Sequence, residues 1–135
     1  MSSNKTAPSP NSKKYASILE EALAFIIKEK EADRSIFWSL RDSLMDDFVD
    51  WNEVRIASPD RLEKAFAKLK NGESKRKVIQ ALLNKIFSRS GSLDHQFMLD
   101  FSSEALEDYL AGVMEMNEKT RAALIEKVLA PHLKK

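Results

Sequence analysis

The net charge of this chain is only +1, but its basic side chains are unevenly spaced. Lys75, Arg76 and Lys77 are consecutive, and together with Lys68, Lys70, Lys85 and Arg89 they face a single acid, Glu73. Such a local excess attracts a phosphate backbone. It equally fits a solvated helix face, and the residues leave both readings open. Further along, Asn117 stands where a helix begins and can cap it, which places Lys119 and Thr120 in the first turn. Metal chemistry is poorly served. The two histidines, His95 and His132, lie on a short connecting segment and near the last residue, and Asp94-His95 is an adjacent pair whose side chains diverge. Both histidines are expected on the surface. There is no cysteine, which excludes thiolate-held zinc, iron–sulfur clusters and disulfides and suits a reducing compartment. The three glycines, Gly72, Gly91 and Gly112, form no cluster that could cradle a phosphate. No metal and no cofactor is expected.

The elements that must position these groups read as helices throughout. Ile18, Leu19, Ala22, Phe25 and Ile26 recur at three- and four-residue spacing, which predicts an amphipathic helix from about Lys14 to Lys30. Asp33 is a cap for a second helix that buries Ile36, Phe37, Leu40 and Leu44 and stops near Asp46-Asp47. Asp50 caps a short turn carrying Trp51 and Val54. Ser58-Pro59-Asp60 starts the next helix, with a capping hydroxyl, a proline whose missing amide costs nothing there and an acid at the positive end. That helix buries Leu62, Ala65, Phe66 and Leu69 and stops before Gly72. Ser74 opens the longest one, with Val78, Ile79, Leu82, Leu83, Ile86 and Phe87 inward and Lys75, Arg76, Lys77 and Lys85 toward water, and Gly91 ends it. Short helices follow over Leu93–Leu99 and Ser103–Ala111, the latter closed by Gly112, and a last one over Asn117–Ala130 is stopped by Pro131. No period-2 run of β-branched residues and no internal repeat is visible. The expectation is an all-α single domain, a compact bundle of about seven short helices over 14–135.

Residues 1–13 are Ser, Asn, Lys, Pro and Thr with almost nothing apolar, so they are expected to form a disordered tail. The longest apolar run, Ala22–Ile27, falls far short of the roughly 20 apolar residues of a membrane span. No membrane partner is expected, and with no secretory signal at the start the expected location is cytoplasmic. Trp38, Trp51, Phe66, Phe87, Phe97, Phe101 and Tyr109 fall at amphipathic positions or element starts, which assigns them to core packing. No basic patch with interleaved exposed aromatics, the signature of single-strand binding, is expected.

Ala32-Asp33-Arg34-Ser35, then Phe48-Val49-Asp50-Trp51-Asn52-Glu53-Val54-Arg55, Ser58-Pro59 and Leu62-Glu63-Lys64-Ala65 resemble the N-terminal region of endonuclease III-like helix-hairpin-helix DNA glycosylases. In that family an acidic-Trp turn precedes a short helix, a basic helix and then the hairpin. The segment Leu110-Ala111-Gly112-Val113-Met114-Glu115-Met116-Asn117-Glu118-Lys119-Thr120 stands where the family has Leu-Pro-Gly-Val-Gly before its Lys-Thr. Such a hairpin lets backbone approach a DNA phosphate while free amides of the next helix donate to it. Here Glu115 replaces a glycine and its charge repels phosphate, whereas Asn117 replaces another and still caps. In lyase-active members the lysine matching Lys119 attacks the sugar to form a Schiff base; the residue itself reads rather as an exposed first-turn lysine. The family's catalytic aspartate falls beyond Lys135, and the stretch 36–50 is short for the family, so an enzyme is not expected.

Two functions follow as expectations. One is a divergent, C-terminally truncated relative of base-excision-repair glycosylases that contacts duplex DNA non-specifically through Lys75, Arg76, Lys77, Asn117, Lys119 and Thr120. The other is a helical module that pairs with a protein or with itself, using an adaptable surface that includes Met114 and Met116.

Overall fold

A buried glutamate links the first three helices. The computed structural model describes residues 17–28, 35–113 and 116–133, apart from the side chain of Ser90. The tail 1–13, the proposed cap Asp33 and the turn residues Met114 and Glu115 lie outside the described residues. Helix α1 spans Ile18–Lys28 and α2 spans Ser35–Asp47, followed by α3 over Trp51–Ile56. Glu20 of α1 is only 3% exposed. Its carboxylate accepts from Arg41 Nε of α2 at 2.6 Å and from Trp51 Nε1 of α3 at 3.1 Å. A buried charge is tolerated when it is paired and hydrogen-bonded in this way. Leu23, Ile27, Phe37 and Leu44 of α1 and α2 are fully buried, with the Phe37 and Trp51 rings stacked at 6.3 Å.

The second half continues with α4 over Pro59–Phe66, α5 over Gly72–Ser90, α6 over Ser103–Leu110 and α7 over Glu118–Leu124. The all-α bundle is therefore built of seven α-helices among the described residues, with no strand. Several ends form as their residues dictate. Asp50 accepts from the Glu53 amide at 3.0 Å, and Glu53 reaches back to the Val49 amide at 2.8 Å. Pro59 occupies the first turn of α4, although Ser58 caps by backbone position without a side-chain bond. Gly91 terminates α5 at φ 77°, the left-handed geometry that favours glycine.

Other ends depart from expectation. Helix α5 starts at Gly72, ahead of Ser74, because Asn71 turns the chain at φ 56° and Gly72 slides under the end of α4. A Cβ at Gly72 would stand 1.9 Å from the Phe66 carbonyl oxygen. The segment 93–99 forms only a 3-10 turn over Gln96–Asp100. The last helix is not uniform: α7 passes at Ile125 into a π turn and then a 3-10 turn over Ala130–His132. The Ala130 amide donates five residues back to Ile125. Pro131, which lacks an amide and whose ring crowds the carbonyl four residues before it, accounts for the rewound end. Leu124, Ile125, Val128 and Leu129 nevertheless all reach the core.

Candidate nucleic-acid interface

The three consecutive basic residues of α5 do not form one patch, since successive helix positions point about 100° apart. Lys75 is 3% exposed, a correction to its expected place facing water. It sits four residues before Ile79 and three before Val78, so it shares their inward stripe, and a lysine stem is apolar enough to be accommodated there. Arg76 is half-buried and its Nη1 donates to Gln80 Oε1 at 2.8 Å. Gln80 in turn caps α3, donating from Nε2 to the carbonyls of Val54 at 3.0 Å and Ala57 at 2.9 Å. Arg76 thus belongs to the α3–α5 junction. Lys77 alone of the three is exposed.

Helices α6 and α7 follow one another through a turn whose Val113 and Met116 are buried. Asn117 caps α7 by accepting from the Thr120 amide at 2.8 Å. Asn117 and Lys119 are exposed and Thr120 is half-buried. Arg121 Nε of α7 donates to the Glu107 carboxylate of α6, tying the two helices together.

Sequence reasoning missed a cationic and aromatic ledge beside this turn. The Phe97, Phe101 and Tyr109 rings meet edge-to-face, with centroids 5.5 to 5.9 Å apart. Lys85 Nζ stands 4.5 Å over the Tyr109 ring, and the Arg89 guanidinium carbon stands 4.5 Å over Phe97 and 5.7 Å over Phe101. Lys85 also rests against the chain just after α6: a Cβ on Gly112 would come within 2.8 Å of its Nζ. Gly112 therefore serves by leaving room, without a left-handed backbone. The signal was present in the spacing, because Lys85 and Arg89 are one turn apart, as are Phe97 and Phe101. The rings are half-buried and packed against the core, in keeping with their assignment to packing, and Lys85 and Arg89 stand over them. Tyr109 hydroxyl donates to the Lys85 carbonyl at 3.0 Å, and burial raises its pKa against the opposing influence of Arg89.

His95 is buried, contrary to its expected surface position, because the 3-10 turn folds it inward beside Met98 and Leu99. Burial lowers its pKa, opposed by the neighbouring Asp94. Among the described residues no three metal-ligating side chains converge. No helix among the described residues is long and apolar enough to cross a membrane. No family model matches the chain, and no curated protein or solved structure matches it either.

Proposed function

We propose that this chain is a helical nucleic-acid-contacting domain, a divergent relative of helix-hairpin-helix DNA glycosylases that binds duplex DNA non-specifically and does not excise bases. The observation that carries the reading is the α6–α7 hairpin, anchored by buried Val113 and Met116 and capped by Asn117, with Lys119 exposed in the first turn beyond it. The order of elements supports it as well: an acid-capped turn with Trp51, a Pro59-initiated helix, a basic helix and then the hairpin. Exposure of Lys119 argues against catalysis, since Schiff-base lysines are activated by desolvation or a cationic neighbour.

Duplex affinity measured across a salt series tests the proposal. Binding that weakens steeply with salt and that is reduced by Lys77→Ala with Lys119→Ala is the expected result, because each neutralised phosphate releases counterions. Undetectable binding at low salt would end it. Borohydride trapping on abasic-site DNA is expected to give no Lys119-dependent adduct.

A second reading has an observation of its own. Val49 is 80% exposed and Ile56 67% exposed, at the two ends of α3. Large apolar side chains standing in water around one short helix suit a protein-binding module. Light scattering of the wild-type chain and of Val49→Asp with Ile56→Asp distinguishes it: a self-association lost in the variant supports this reading.

A further inference from the structure

The ledge beside the hairpin turn offers two kinds of chemistry at once. Lys85 and Arg89 form no ion pair among the described residues, and Glu107 is already taken by Arg121. Arg89 is exposed and Lys85 half-exposed, so both cations remain within reach of an anion from solvent. Their beds are the half-buried rings of Phe97, Phe101 and Tyr109. The exposed acids Glu104 and Asp108 on α6 lower the net positive charge of this region. Charge alone therefore gives the ledge little hold on a duplex backbone, and the rings decide what fits. A strand with unpaired bases presents both a phosphate for the cations and an aromatic face for the rings, whereas a duplex keeps its base faces stacked inside.

We infer that Lys85, Arg89, Phe97, Phe101 and Tyr109 form a binding ledge for an unpaired nucleic-acid strand, running past Gly112 at the hairpin turn. The inference rests on the nucleic-acid reading above and adds to it a second contact with its own substrate class. Lys85 and Arg89 hold consecutive phosphates, and an incoming base packs against the ring cluster and the guanidinium that covers it.

Fluorescence anisotropy with oligothymidine of about 16 nucleotides, set against a duplex of equal length, tests this. Lys85→Gln with Arg89→Gln is expected to weaken oligothymidine binding about tenfold or more, and Phe97→Leu, which keeps an apolar filler, about fivefold. Duplex affinity carried by Lys77 and Lys119 should change less than about twofold in both variants. Circular dichroism establishes that each variant is folded. Ultraviolet crosslinking of oligothymidine to the unaltered chain needs no variant at all, and adducts are expected between residues 97 and 109. Adducts confined elsewhere, or heparin competing away oligothymidine with no effect of Phe97→Leu, would overturn the ledge. Duplex bound while oligothymidine is not would overturn the ledge alone; neither bound would overturn the nucleic-acid reading with it.

Discussion

Trp51 donates its indole Nε1–H to the carboxylate of Glu20 at 3.1 Å, so the opening residue of α3 is held by a buried charge on α1. Arg41 of α2 binds the same oxygen at 2.6 Å, and one carboxylate thereby joins three helices. Replacing Glu20 by Ala leaves the indole N–H and a partly covered guanidinium without their acceptor. The expected loss is about 1–3 kcal/mol, with Glu20→Gln costing less because an acceptor survives. Urea unfolding monitored by tryptophan fluorescence checks this, and equal midpoints for the two variants would contradict it.

The glycines separate into two physical kinds. Gly72→Ala drives a Cβ to 1.9 Å from the rigid Phe66 carbonyl oxygen, so α4 and α5 must part. A destabilisation of about 2 kcal/mol or more is expected. Gly91→Ala meets no neighbour and bears only the strain of φ 77°, about 1–2 kcal/mol. Thermal denaturation of both variants should rank Gly72→Ala as the more damaging.

His95 makes stability depend on pH. Its imidazole is buried with Nε2 unpartnered, and burial lowers its pKa in the folded chain. The unfolded state therefore binds the proton first as pH falls. Stability is unaffected by this group above the ordinary imidazole range and declines as pH drops below it toward the folded pKa. Going from about pH 7.5 to about pH 5, the urea midpoint should fall more in the wild-type chain than in His95→Gln. Parallel pH profiles for the two would remove His95 as the cause.

Asn117 holds the start of α7 through the Thr120 amide. Asn117→Ala should cost about 1 kcal/mol, and Asn117→Asp, which preserves the acceptor, close to nothing. Amide exchange of Thr120 provides the local readout: it should speed up in the alanine variant and stay slow in the aspartate one.

Residue spacing alone determined the all-α class, the order of the helices and several of their ends. Asp50, Gly91 and Asn117 act locally, through bonds or backbone angles within a few residues, and so their roles were legible along the chain. Lys75 shows where such reading fails. Its charge placed it at the surface, and the packing of α5, where it lies one turn before Val78 and Ile79, put it in the core. The burial of Glu20 rests on Arg41 and Trp51, which are 21 and 31 residues away, and no local pattern announces such partners. The candidate ledge likewise needs α5, the 3-10 turn and α6 to converge. Only the tertiary fold could set Lys85 against Gly112 and Arg89 over Phe97, because those pairings depend on how helices pack and not on which residues form them.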